Sequence, residues 1–143
     1  MNYTKKDLLY LPLGGSGEIG MNCNLYHYED KWIMIDLGVT FSDNDSNNYD
    51  LIMPNIDFIL ERVDKLSALI LTHAHEDHIG AVPYLIKNLK NVPIYATSFT
   101  ASVLKRKLSS VGFTDYKINI MEYGKEMLID DFILEIYCMT HSI

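Results

Sequence analysis

Leu69-Ile70-Leu71-Thr72-His73-Ala74-His75-Glu76-Asp77-His78 is an apolar run that ends abruptly in three histidines and two carboxylates. In extended chain, residues i and i+2 point to the same side, so His73 and His75 can share one ion. Asp77 and His78 follow at the expected start of a helix, where the backbone turns, and suit a second ion. Two divalent ions about 3.5–4 Å apart are a device for hydrolysing phosphate esters and acyl bonds. The competing reading is a set of ordinary, internally satisfied polar side chains. Histidine and carboxylates are poorly tolerated in a core unless paired or bound to metal, and here they follow Ala68-Leu69-Ile70-Leu71, which reads as fully buried. The stretch is therefore read as a metal site at the end of a strand.

Around it stand 143 residues with 48% hydrophobic content, enough for one domain with a sizeable core. The net charge of −7 argues against a general nucleic-acid-coating surface, so any RNA contact must be local. Cys23 and Cys138 are too few for a disulfide framework and are expected as buried free thiols in apolar strands. Met1 to Asp7 leads into an apolar run too short for a signal-peptide core or a membrane span, which makes a cytoplasmic protein without membrane contact the expectation.

Upstream, Leu8 to Leu13 reads as the first strand. Gly15-Ser16-Gly17-Glu18-Ile19-Gly20 then fits a dinucleotide-binding G-x-G-x-x-G, with Asp36 where that fold keeps its ribose-binding acid. Such a site needs a helix after the glycines, because the pyrophosphate sits on its N-terminus. Met21 to Tyr28 instead alternates, with Cys23, Leu25 and His27 on one side, which is strand periodicity. The cofactor reading fails, and His27 is expected as a core or strand-face histidine. Glu29-Asp30-Lys31 turns into a strand over Trp32 to Ile35. Val39 to Pro54, with Ser42 to Asn48 at its centre, reads as an exposed loop without the ligand spacing, glycine and closing glutamate of an EF-hand. Ile56, Ile59, Leu60 and Val63 predict a short helix capped by Asn55.

Downstream, Ile79, Val82, Ile86 and Leu89 predict one amphipathic helix from Asp77 onward, with Pro83 in its first turns. Val92 to Ala96 is the next strand, and Thr97 or Ser98 can cap a helix running to Leu108. Lys105-Arg106-Lys107 reads as a solvated helix face rather than an RNA contact. Val111 to Met139 should hold two or three strands, the clearest being Phe132 to Cys138, which leads to His141.

Thr72-His73-Ala74-His75-Glu76-Asp77-His78 matches the T-H-x-H-x-D-H signature of the metallo-β-lactamase superfamily, and its extension through Ile79-Gly80-Ala81-Val82-Pro83-Tyr84 resembles the ribonuclease J branch. Gly14 to Asn22 and Pro54 to Glu61 resemble the same branch. The resemblance implies a strand-rich α/β fold, the αββα sandwich of two packed sheets with helices outside, of which residues 1–143 are the N-terminal part only. It implies that His73, His75 and His141 hold one ion and that Asp77 and His78 hold the other, with Asp77 also taking a proton from the nucleophile. Asp36 would orient the metal-binding loop without ligating, as an outer carboxylate that fixes imidazole tautomers. Glu76 would partner a ligand histidine from outside, and the Gly14–Asn22 loop would lie near the metal pocket.

The implied cofactors are two zinc ions, with manganese as a substitute, and the implied activity is 5′-to-3′ and internal cleavage of RNA by a homo-oligomeric parent protein. The branch continues beyond the length seen here into a metal-bridging carboxylate, a β-CASP insertion that forms the RNA channel and a last histidine ligand. A chain stopping two residues past His141 is thus expected to be a truncated or interrupted product, with partial metal occupancy and an apolar sheet face open to dimerisation or aggregation. The alternatives are another hydrolase of the same scaffold, acting on a lactam, lactone or thioester, and a folded remnant without turnover.

Overall fold

The alternation in Met21 to Tyr28 and the apolar runs on either side of it build one mixed sheet. A computed structural model describes residues 3–42, 50–89 and 91–141. Strands β1 (Leu9–Gly14), β2 (Cys23–Tyr28) and β3 (Lys31–Ile35) form an antiparallel meander. Between β2 and β3 the chain reverses through Glu29 and Asp30, both at positive φ (47° and 63°), as a tight hairpin matching the strand twist requires. The chain then passes β4 (Thr40–Phe41), β5 (Leu51–Ile52), the single-turn helix α1 (Asp57–Leu60) and a 3-10 turn at Val63–Lys65 before β6 (Leu66–Leu71). Two short helices, α2 (Glu76–Ile79) and α3 (Val82–Leu85), lead to β7 (Ile94–Ala96). Helix α4 (Ser98–Ser110) connects to β8 (Ile118–Ile120), and β9 (Glu126–Ile129) pairs with β10 (Phe132–Glu135).

The main sheet has six strands in the order β1-β2-β3-β6-β7-β8, with β3, β6, β7 and β8 all parallel. Its two faces are covered by different elements. Cys23, Leu25, Met34, Leu69 and Leu71 point into the larger core beneath the helices, where Leu104 and Leu108 of α4 also lie. Ile33, Ala68 and Ile70 point to the opposite face, where Met121 and Ile129 meet them with the β9–β10 ribbon. Within β6, Ala68 to Leu71 is covered on both sides, as its unbroken apolar sequence anticipated. This is the layering of the N-terminal part of an αββα sandwich.

Several expectations are corrected. The stretch Val39 to Pro54 is not wholly an exposed loop, because Thr40–Phe41 pairs with Leu51–Ile52 and Pro54 is buried; Asp43 to Asn48 lie outside the described residues. Asn55 does act at the start of α1, through Oδ1 accepting the Asp57 N–H at 2.8 Å, although the cap position itself is Ile56. The helix from Asp77 onward is broken into α2 and α3. The N–H groups of Val39, Asn22 and Leu37 donate to the carbonyls of Glu76, Asp77 and His78 at 3.1, 2.9 and 2.8 Å, and Ala81 donates outward to Leu37 at 3.1 Å. Pro83 has no N–H with which to continue the ladder.

The last strand ends at Glu135 and not Cys138, because its partner begins at Glu126 and the ladder runs out there. Cys138 is consequently exposed, whereas Cys23 is buried as expected. Burial and then the nearby Asp36 charge push the Cys23 thiol up to about 12, leaving it a neutral packing group.

Candidate metal centre

The site forms where the parallel strands β3 and β6 end side by side. Pairing of Ile35 with Ile70 brings Asp36, one residue past β3, next to Thr72, one residue past β6. Asp36 turns at φ 63°, donates its N–H to the Ile70 carbonyl at 2.8 Å, and aims its carboxylate across the strand ends. That carboxylate is 4% exposed, so each of its lone pairs needs a donor. Oδ1 accepts the Thr72 N–H at 2.8 Å, Oδ2 accepts the Thr72 hydroxyl at 2.8 Å, and Oδ2 also accepts Nδ1–H of His78 at 2.7 Å.

These bonds orient the imidazoles. The Thr72 hydroxyl spends its only proton on Asp36 and is left as an acceptor for Nδ1–H of His73 at 3.0 Å. Both His73 and His78 then carry their lone pair on Nε2, the outward atom. Nε2 of His73 lies 3.1 Å from Nδ1 of His75 and 3.1 Å from Nε2 of His141. Ring centroids of the three histidines are 4.6 to 4.7 Å apart. His141 is thus brought from beyond β10 to the His73–His75 pair at the end of β6, and the ligand atoms of the three all fall within 4.8 Å of one another.

This donor set fits a divalent ion. A tetrahedral zinc with Zn–N of about 2.0–2.1 Å holds its ligand nitrogens about 3.3 Å apart, close to the spacing around His73. Burial, followed by the neighbouring His78 charge, lowers the pKa of His73 and keeps it in the neutral form that ligates. Among the described residues, this trio is the group of three or more side chains that can hold an ion.

Asp77 and His78 stand beside it as a pair, Oδ2 to Nε2 at 3.5 Å. For His78, burial works to lower the pKa, but the Asp36 hydrogen bond and charge and then the Asp77 charge outweigh it and raise the value. Glu76 points elsewhere: its carboxylate pairs with Lys107 of α4, a different partner from the ligand histidine expected for it. The same contact corrects the view of Lys105-Arg106-Lys107 as a purely solvated face, since Lys107 reaches back to α2. His27 is far from this chemistry, fully buried, with Nδ1–H donated to the Asp7 carbonyl at 2.9 Å.

Two participants were not singled out from the sequence. Thr72 sits within the quoted stretch, but its role depends on Asp36 arriving beside it from another strand. Asn22 closes the glycine loop and places Nδ2 at 3.2 Å from both Asp77 Oδ2 and His78 Nε2. The expected nearness of that loop to the pocket is realised through this residue. Gly38 makes the approach possible, since a Cβ there would lie 1.7 Å from the Asp77 carbonyl oxygen. A cleft of about 490 Å³, walled by Phe99 and Tyr137 among others, opens onto His73 and His141. No helix among the described residues is long and apolar enough to cross a membrane.

The family model of the metallo-β-lactamase superfamily matches residues 17–134. Ribonuclease J of Sinorhizobium meliloti is 43% identical over 143 residues, covering 96% of this chain and 25% of that protein. Ribonuclease J of Thermus thermophilus is 36% identical over 140 residues, covering 93% and 24%, and that of Mycobacterium tuberculosis is 34% identical over 139 residues, covering 97% and 25%. The chain therefore spans about a quarter of the length of these curated relatives.

Proposed function

Since the chain belongs to the metallo-β-lactamase superfamily, we propose that its histidine cluster is the metal-binding part of a hydrolase acting on RNA phosphodiester bonds. The observation that carries this reading is the meeting of His141 with His73 and His75 at ligand spacing, beside Asp77 and His78. The relatives' name, ribonuclease J, selects RNA among the substrates the scaffold could take. His73, His75 and His141 would hold one ion, Asp77 and His78 the second, with zinc as the metal and manganese as a substitute. When bound, such ions supply Lewis-acid stabilisation of phosphate charge and a nucleophile at neutral pH.

The chain's own groups do the rest. Asp36 fixes His78 through Nδ1, and Thr72 passes the same constraint to His73, so that both present Nε2 without a search over tautomers. The Asp77 carboxylate, 41% exposed at the mouth of the site, accepts the proton of the attacking water. The cleft beside His73 and His141 admits substrate. With a net charge of −7, RNA is held by local contacts and not by a broad basic surface. Cleavage from the 5′ end and internally, a part in ribosomal RNA processing, a cytoplasmic location and a homo-oligomeric state belong to the same proposal.

The test is incubation of 5′-monophosphorylated RNA with the complete gene product, with and without a chelator. Cleavage that stops with chelator and returns with zinc or manganese is expected. Absent or chelator-insensitive cleavage would remove the nuclease assignment, and turnover of a lactam, lactone or thioester instead would assign another hydrolase of the scaffold.

A further inference from the structure

The cleft of about 490 Å³ beside the metal centre has walls that the chemistry above leaves unused. Phe99 comes from the first turn of α4, Tyr123 from the turn ahead of β9, and Tyr137 from the segment between β10 and His141. These residues are 56%, 57% and 66% exposed. Aromatic rings from three separate elements are thus open to water around one concavity, the mark of a surface that a ligand covers. Charge narrows the class of ligand. Among the described residues that line the cleft none is a lysine or arginine, so its walls bring no cation of their own to a phosphate. They do bring a buried hydroxyl proton. Thr97 and Thr100, also lining residues, are 5% and 1% exposed, and their hydroxyl oxygens lie 3.0 Å apart. That bond uses one of the two hydroxyl protons, and neither hydroxyl has another partner among the described residues, so one O–H is left to donate to a guest.

The guest must therefore be flat, largely apolar on its faces, uncharged, and able to accept a hydrogen bond at its edge. An unpaired nucleobase has all four properties. The cleft is also in the right place, because His73 and His141 line it too. A nucleotide whose phosphate meets an ion held by those imidazoles has its base beside the rings. We propose that the cleft is a nucleobase subsite for single-stranded RNA, in which an unpaired base next to the scissile phosphate stacks on Phe99 and Tyr137 and accepts the spare hydroxyl proton of the Thr97–Thr100 pair. This rests on RNA being the substrate, as read above, and adds how the strand is held without a basic surface. Every base has a π-face, so stacking tolerates sequence. A paired base has its faces and edge already occupied, so the subsite selects unpaired strands over duplexes.

The experiment follows the first cut made by the complete gene product in 5′-monophosphorylated single-stranded RNA, with one base at a time replaced by an abasic site. For the unaltered protein, one position next to the cleaved bond should lose about tenfold in kcat/KM when abasic, the worth of one stacked base. Phe99→Ala combined with Tyr137→Ala, both at exposed positions, should raise KM about tenfold on intact RNA with kcat unchanged. The same double variant should lose nothing further on the RNA that is abasic at that position. Phe99→Tyr with Tyr137→Phe keeps both rings and should match the unaltered protein. An equal loss on intact and abasic RNA would mean that the rings pack against protein instead of a base, and would overturn the subsite. An unchanged KM, or the lack of any sensitive position, would overturn it as well, with the nuclease reading left standing. No cleavage of any RNA by the unaltered protein would instead remove the nuclease reading, and the subsite with it.

Discussion

Asp36 is the residue on which the orientation of the site turns, because one buried carboxylate receives Thr72 and His78 and, through Thr72, constrains His73. Asp36→Asn keeps the shape but loses the charge and an acceptor. Metal affinity should fall about 10–100-fold, read by competition against a chromophoric chelator; an unchanged affinity would mean the imidazoles do not depend on it. A pH effect follows from the same contact. The pKa of His78 is raised in the fold, so its protonated form contributes stability that is fully present below about pH 6.5 and is lost as pH rises through the folded value. His73, with its pKa lowered, acts in the other window, where stability is lost as pH falls below about 6.5. Thermal unfolding in chelator between about pH 6.5 and 9 should therefore decline more steeply for the native chain than for Asp36→Asn. Equal slopes would contradict the coupling.

At the scale of elements, the site depends on α2 lying against the strand-end segment 36–39 and Asn22, since the N–H groups of Asn22, Leu37 and Val39 take up its carbonyl groups. Gly38 has no room for a side chain: a Cβ would meet the Asp77 carbonyl oxygen at 1.7 Å and its carbon at 2.0 Å, both rigid backbone. Gly38→Ala should cost more than about 4 kcal/mol or prevent folding. Gly17→Ala, with no atom within 4 Å but φ at +83°, should cost only about 1–2 kcal/mol. Denaturant unfolding of the two variants is the check, and similar losses would show that docking of α2 is not the constraint.

The same elements show what could be read in advance. The alternation of Cys23, Leu25 and His27 and the apolar run Ala68-Leu69-Ile70-Leu71 pointed to their strands, because a local pattern of burial decides them, although the second strand begins two residues earlier, at Leu66. The break between α2 and α3 was not legible, since Ile79, Val82, Ile86 and Leu89 keep helical spacing while the carbonyls of α2 are claimed by residues 22, 37 and 39. Asn22 and Thr72 escaped for a similar reason: their hydrogen bonds exist only once distant segments have met. His141 was placed by resemblance alone, and the strand thought to carry it stops at Glu135.

Over the whole molecule, the β9–β10 ribbon buries one face on the sheet and turns the other outward. Leu128 and Ile133, directly paired across the ribbon, are each 69% exposed. Two apolar side chains standing together on a chain of net charge −7 form a patch that a second copy can cover. Sedimentation velocity should show concentration-dependent self-association of this chain that Leu128→Lys with Ile133→Lys abolishes without loss of zinc binding. Association that persists in the double variant would put the contact elsewhere.

The central claim is that the His73–His75 pair and the distant His141 share one cation. X-ray absorption at the zinc edge, on protein loaded with one equivalent, tests it most directly. Expected is a first shell with three imidazole nitrogens at about 2.0–2.1 Å, falling to two in His141→Ala. A sulfur at about 2.3 Å, bringing in Cys138 from the wall of the same cleft, or fewer than three imidazoles in the native chain, would contradict it.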